Sequence, residues 1–253
     1  MINYFIYNGS DSRDFGILIR TKNTYDAPQR DLNFISVPGR DGDLIIDNGK
    51  YPNVNINYGI MLVAPTLNSL EENPNLNLAA ASRTLKQMLY SSFNYYELTD
   101  SYDPDYFRLA CFSGDLSWET KDVNVAYSEI KFNCKPYRYK KDGKLTHTVT
   151  SSSAVLSLFN PENMISLPQI TIKGNGNLKI SVNNRIFTVN DVTGYVIIDS
   201  DMMNVYNPTQ TSTNYNTKAQ FATFPKLQIG SNVISAASNN VTEINVIPRW
   251  RCL

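Results

Sequence analysis

Only one stretch of this 253-residue chain repeats its apolar residues at intervals of three and four, the spacing that lays a stripe along one side of a helix. It covers residues 75–90, where Leu78, Ala81, Leu85, Met88 and Leu89 recur. Asn73 and Pro74 precede it as an N-cap and a proline for the first helical position. Elsewhere the apolar residues come in short runs, alternating or rich in aromatic and β-branched types, with Gly, Asn, Asp and Pro between them. A chain punctuated in this way reads as mainly β.

In the first half, residues 2–7, 15–20, 34–37, 44–47, 54–63, 95–98, 106–112 and 124–134 read as strands. Period two puts Tyr58, Ile60 and Leu62 on one face, and it puts Ala126, Ile130, Phe132 and Cys134 together on another. Pro38-Gly39-Arg40-Asp41-Gly42-Asp43 predicts a sharp reversal, since Pro presets one turn dihedral and Gly accepts positive φ. Asn48-Gly49, between the runs 44–47 and 54–63, reads as a hairpin turn joining them. In the second half, strands are expected at 167–173, 178–182, 185–189, 195–199, 226–229, 232–235 and 242–248. Turns fall at 174–177 and Asn183-Asn184, and 207–216 reads as a polar loop. Such spacing suggests a sandwich. The basic, aromatic, turn-prone run 135–144 divides the halves, giving domains 1–140 and 141–253 with a solvated linker between them.

The charges exclude some classes of function. The 23 basic and 23 acidic residues cancel, and the charged fraction of 18% is below the roughly 25% of ordinary soluble proteins. No basic face invites nucleic acid. The 16 Tyr and 11 Phe suit strand faces and subunit interfaces. Cys111, Cys134 and Cys252 fit neither a disulfide framework nor a zinc spacing, and they read as reduced thiols. The start of the chain lacks a signal-peptide pattern, and no apolar run is long enough for a membrane span.

A catalytic constellation is not legible. His147 is the only histidine and sits in the linker-like segment. Asp41, Asp43 and Asp47 suggest a calcium loop, but the twelfth position from Asp41 is Pro52, where an EF-hand needs Glu. Asp100, Asp103 and Asp105 crowd around Pro104, which describes a turn better than two carboxylates facing across a cleft. Gly174-Asn175-Gly176 is followed by no helix and no Lys-Ser/Thr pair, so it is not a phosphate loop. No enzyme activity and no cofactor are expected.

Several short motifs, in a fixed order, resemble those of the siphophage distal tail (Dit) proteins. They are Asp14-Phe15-Gly16-Ile17, Ala27-Pro28-Gln29-Arg30-Asp31, Val37-Pro38-Gly39-Arg40-Asp41-Gly42 and Asn48-Gly49-Lys50-Tyr51. The run from Leu98 through Tyr102 to Arg108 follows, then Phe132-Asn133-Cys134-Lys135-Pro136-Tyr137-Arg138-Tyr139. The second half adds Pro168-Gln169-Ile170, Gly230-Ser231-Asn232 and Pro248-Arg249-Trp250. Order and spacing carry the specificity, and the likeness spans nearly the whole chain. In length the chain resembles the lactococcal TP901-1 type.

The resemblance implies an N-terminal β-sandwich-like belt domain with one helix and a hairpin, followed by a C-terminal galectin-like β-sandwich. It also implies a homo-hexameric ring in the virion, at the tail tip or baseplate, built from subunits made in the host cytoplasm. The ring would link the tail tube protein to a tail-associated lysin or hub protein and hold peripheral baseplate or receptor-binding subunits during host adsorption. Genomic DNA would cross its lumen without specific binding. The hairpin 37–51 is the candidate ring-interface arm, through Val37, Pro38, Gly39, Arg40, Asp41, Gly42, Leu44, Ile45 and Tyr51, because it mixes apolar residues with charges and is punctuated by glycine. The alternative is a module that binds host cell-wall saccharide, with Tyr195, Tyr206, Tyr215 and Trp250 as exposed stacking platforms.

Overall fold

The computed structural model describes residues 2–63, 74–91, 93–122, 125–150, 155–209 and 214–253. The chain divides into two compact units, Met1–Arg138 with Leu253, and Tyr139–Cys252.

In the first unit the strands are β1 (Phe5–Tyr7), β2 (Ser10–Asp11), β3 (Ile17–Lys22), β4 (Leu32–Ile35), β5 (Leu44–Asp47), β6 (Val54–Val63), β7 (Tyr96–Asp100), β8 (Tyr106–Phe112), β9 (Glu119–Asp122) and β10 (Val125–Lys140). One helix, α1 (Pro74–Leu89), lies between β6 and β7 in the chain. The main sheet runs β2-β1-β7-β8-β10-β6-β3, with β9 also on β10. Its longest pairing joins β10 to β6 antiparallel, from Val125 opposite Val63 to Cys134 opposite Val54. Alternation does the sorting, because successive side chains on a strand point to opposite faces. Ile56, Tyr58, Ile60 and Leu62 from β6 turn inward, as do Ala126, Ile130, Phe132 and Cys134 from β10. Phe132 is the hub of an aromatic cluster, with the rings of Phe5, Tyr7, Tyr58 and Phe112 at 5.6, 4.8, 6.1 and 6.0 Å. The stripe on α1 seals the cluster. Leu85 and Leu89 are buried, while Leu78, Ala81, Met88 and Trp118 pack partly buried against the same core. Pro74 opens the helix, and the expected N-cap Asn73 lies outside the described residues.

Three local expectations need correction. Asn48-Gly49 does not join two paired strands. Strand β5 pairs with β4, from Leu32 opposite Asp47 to Ile35 opposite Leu44, whereas β6 pairs with β3 and β10. The Asn-Gly signal was genuine as a bend, since Gly49 has φ +69°, but sequence gives no register beyond the bend itself. The run 135–144 is not a solvated linker either. Residues 135–140 continue β10, and Lys141–Lys144 form a 3-10 turn. Residues 226–229 form no strand, and Leu227 makes only an isolated bridge to Ser166.

The second unit is a sandwich of two antiparallel five-stranded sheets. The strands are β11 (His147–Val149), β12 (Val155–Asn160), β13 (Gln169–Gly174), β14 (Gly176–Val182), β15 (Arg185–Val192), β16 (Tyr195–Asp199), β17 (Asn204–Tyr206), β18 (Ala219–Gln220), β19 (Gly230–Ala236), β20 (Val241–Ile247) and β21 (Arg251–Cys252). One sheet runs β11-β20-β13-β16-β17 and the other β12-β19-β14-β15-β18. Their inner faces meet through Ile170, Ile172, Val196, Ile198, Ile244 and Val246 on one side and Leu178, Ile180, Phe187, Val189 and Ile234 on the other, with Trp250 buried among them. Asn183 and Asn184 have φ of 48° and 65°, the two positive values that a type I′ turn needs between β14 and β15. At Gly174 the chain crosses from one sheet to the other. A Cβ there would sit 2.0 Å from the Asn240 carbonyl oxygen, so only glycine fits.

Among the described residues, one ionic pair is buried in the second unit. Asp199 ends β16 with its side chain 1% exposed, and it receives Nη1 and Nη2 of Arg249 at 2.7 Å each. The backbone N–H groups of Asp201 and Met202 donate to the same carboxylate. Burial pushes the Asp199 pKa up, but the hydrogen bonds from Arg249 and Met202 outweigh it and hold the carboxyl below its ordinary value.

Candidate subunit-interface site

The hairpin formed by β4 and β5 is a two-stranded sheet of its own, separate from the main sheet. Phe34 stands opposite Ile45, and Asn33 opposite Ile46. Period two therefore puts Phe34 and Ile45 on one face of the ribbon and Ile35, Leu44 and Ile46 on the other. Both faces are open, with Phe34 and Ile45 each 59% exposed and Ile35, Leu44 and Ile46 between 40% and 45%. Water-facing ribbons normally alternate, and an isolated two-stranded hairpin is marginal in water. This one is apolar on both sides.

What holds the ribbon is polar and sits at its base. Asp31 exchanges backbone hydrogen bonds with Lys50 and Asn48, and its carboxylate accepts from the Asn48 amide at 3.0 Å and pairs with Lys50 at 3.3 Å. Asp47 accepts from the Gly49 N–H at 2.9 Å and pairs with Arg30. The Asn48 amide and the Lys50 ammonium hold the Asp31 carboxyl below its ordinary range, and the Gly49 N–H and Arg30 do the same for Asp47. At the tip, the Arg40 N–H closes a turn on the Val37 carbonyl at 3.2 Å, with Pro38 and Gly39 in the middle and Gly39 at φ +78°. Gly42 also has φ +78°, and Arg40, Asp41 and Asp43 project into solvent.

The structure brings Val37, Pro38, Gly39, Arg40, Asp41, Gly42, Leu44 and Ile45 together on this arm. Tyr51 stands apart. It is half-buried with its ring 6.1 Å from that of Tyr137, so it anchors the chain leaving the arm. The arm also begins earlier than 37. Phe34, Ile35 and Ile46 belong to its apolar surface, and the signal for them was an apolar run that fails to alternate.

The saccharide platform does not assemble. Tyr215 and Trp250 are each 5% exposed and lie in the second unit's core, so neither has a ring face to offer a sugar. Tyr195 and Tyr206 are half-buried on the outer face of the β13-β16-β17 sheet, where Gln169 donates to the Tyr206 hydroxyl at 3.4 Å. Asp100 and Asp103 are turn staples. Asp100 accepts from the Tyr58 hydroxyl at 2.8 Å and from the N–H groups of Tyr102 and Asp103, and Asp103 pairs with Arg138 at 2.8 Å. Burial pushes the Tyr58 hydroxyl well above its usual pKa, and the charge of Asp100 adds to that. Burial likewise pushes the Cys134 thiol up to about 12, which makes it a core residue without thiolate chemistry. Among the described residues, no three His, Cys, Asp or Glu side chains converge to hold a metal, and no helix is long and apolar enough to cross a membrane.

With this geometry described, the comparisons with known proteins give the family. Residues 7–134 match the family described as phage tail protein RIFT-related domain, and the chain belongs to that family. Its fold is similar along its whole length to the Dit protein of phage SPP1, whose structure is described as a paradigm of the hub adsorption apparatus in phages infecting Gram-positive hosts. The TM-score is 0.75 at 12% identity, with 100% of each chain covered. The resemblance to distal tail proteins read from the motifs thus holds at the level of fold. No curated protein sequence matches the chain.

Proposed function

We propose that this chain is the ring-forming distal tail subunit of a long-tailed, non-contractile phage. Six copies close a ring between the tail tube and the tail tip. Residues 1–140 build the ring, and residues 141–253 hold peripheral baseplate or receptor-binding subunits. A tail-associated lysin or hub protein sits below. The genome crosses the lumen without specific binding, and the part the chain plays is structural, without cofactor. Its place is the virion, after synthesis in the host cytoplasm.

The observation that carries the reading is the ribbon of residues 32–47, apolar on both faces and in water on both. A monomer gains nothing from such an arm, whereas a neighbouring copy that covers it removes that surface from water. A single heterologous contact repeated around a ring leaves no end exposed. Balanced charge lets identical subunits meet without strong repulsion. Light scattering of the purified chain at several concentrations tests the reading. A species near six subunits, or a trimer in equilibrium with it, is the expected result. A monomer at every concentration overturns it.

A further inference from the structure

Resting on the reading that residues 141–253 hold peripheral subunits, we infer how they do so: the free edge of β12 takes up an extended, uncharged strand from such a subunit, antiparallel to it, as a new outermost strand of that sheet.

The unpaired N–H and C=O groups of an edge strand invite another chain, and proteins blunt such edges by shortness, charge or irregular register. Several edges of this chain are blunted so. In the second unit β11 and β17 have three residues each and β18 has two. In the first, β2 has two residues, and β3 carries Arg20 and Lys22 and shifts register between Ile19 and Thr21. Strand β12 ends its sheet and has none of these devices. Val155–Asn160 is six residues long, holds no charge and no proline, and pairs with β19 at every residue without a shift.

The hydrogen bonds of Val233 on β19 fix which backbone groups this edge presents. The Val233 N–H donates to the Asn183 amide oxygen at 2.9 Å, and the Val233 carbonyl accepts from the Asn183 N–H at 2.8 Å, so both point away from β12. Ser157 lies directly opposite Val233. Opposed residues of an antiparallel pair exchange both backbone bonds or neither, so the N–H and C=O of Ser157 face the open edge. Alternation turns those of Val155 and Phe159 the same way.

The same three residues point their side chains out of the sandwich. Val155 is 59% and Phe159 68% exposed, with Ser157 between them and Val233, 45% exposed, beside it on β19. The small serine leaves a gap between two larger side chains, and an apolar side chain on the incoming strand, opposite Ser157, packs into it. Ser231 and Ser235, opposite Phe159 and Val155, add hydroxyls and no charge. A charged residue brought here loses water and gains no partner, so the incoming strand is uncharged. Val155, Phe159 and Val233 present roughly 300 Å² of apolar surface, enough to mark a contact site but well under the ~800 Å² that one side of a standard interface buries. That footprint suits a single strand rather than another globular face. Every pairing in the sheet is antiparallel, the slightly stronger ladder, and the added strand continues it.

Hydrogen exchange read by mass spectrometry tests the inference, on the purified full chain and on purified tails of the phage that carries it. The amides of residues 155–160 should exchange at least about tenfold more slowly in the tails. Two variants remove the site. Ser157→Pro deletes an N–H that the incoming strand needs and leaves every bond to β19, and Ser157→Lys fills the gap with an ammonium that stays in water until a strand covers it. Both should keep the wild-type melting curve by circular dichroism and the wild-type assembly mass by light scattering. Tails built with either should lack peripheral subunits. Exchange at 155–160 as fast in tails as in the isolated chain overturns the strand site, and so does a full complement of peripheral subunits on Ser157→Pro tails. Cross-linking then separates the two failures. Subunits cross-linked elsewhere on residues 141–253 leave the reading of that unit standing, whereas subunits cross-linked only to residues 1–140 remove both. An isolated chain whose assembly mass doubles, and no longer doubles with Ser157→Lys, pairs β12 with a second copy and overturns the occupant.

Discussion

Replacing Arg249 by Met should destabilise the second unit by about 3 kcal/mol, the low end of the roughly 3–5 kcal/mol seen when one partner of a buried ion pair is removed. The low end applies because the Arg249 side chain is 26% exposed and because two backbone N–H groups still serve the Asp199 carboxylate after the change. The substitution leaves a charge that is 1% exposed without a cation. The left-handed backbone at position 249, φ +55°, costs Arg and Met alike and cancels. With a urea dependence of about 2 kcal/mol per molar, the midpoint should fall by about 1.5 M at pH 7. Asp199→Asn combined with Arg249→Met should recover part of the loss, since no uncompensated charge remains. The sign of the pH dependence follows from the depressed Asp199 pKa. Its contribution is fully present above the ordinary carboxylate value near ~4 and is lost as the pH falls through the lower folded-state value. The gap between wild type and Arg249→Met should therefore narrow in acid. A midpoint for Arg249→Met within about 0.25 M of wild type, equivalent to the ~0.5 kcal/mol of an ordinary surface change, would refute the argument, and so would strict additivity in the double variant.

Phe132→Ala should cost about 3–5 kcal/mol, because it empties the centre of four surrounding rings, and a urea titration that moves by less than a third of that would mean the cluster collapses around the loss. Gly174→Ala should destabilise by at least ~2 kcal/mol, as its Cβ meets the Asn240 oxygen, whereas Gly194→Ala, with nothing within 4 Å, should cost only the ~1 kcal/mol of its left-handed φ; equal losses would remove the steric explanation. Carboxyl NMR titration should place the midpoints of Asp31 and Asp47 below the ~3.9 of an unperturbed aspartate, so the clamp at the ribbon base is present above that pH and is lost as the pH falls; midpoints at or above it contradict the clamp.

The sandwich and the helix were readable because one inner face did the sorting. Residues 195–199 and the stripe on α1 have one buried side each, and periodicity reports that directly. Strand β12 was missed for the opposite reason. Its outward residues Val155 and Phe159 are apolar, 59% and 68% exposed, while its inward set includes the buried Asn160, so the sequence does not alternate by polarity. The same failure left Phe34 and Ile35 outside the candidate arm. Pro38-Gly39 located the reversal because turn dihedrals are local, but strand partners are chosen by distant segments, and Asn48-Gly49 carried no information about them. Tyr215 and Trp250 were expected outside because a large ring suits either a core or a surface. Only the burial of both rings in the second unit's core decides it.

The chain's two tryptophans fall one to each core, Trp118 against the first and Trp250 within the second. Nature has thereby labelled the halves optically. With Trp118→Phe, indole emission reports only the second unit, and with Trp250→Phe only the first. Superimposable unfolding curves from the two variants would mean that the units melt as one body, while displaced curves would assign a separate stability to the arm-bearing half.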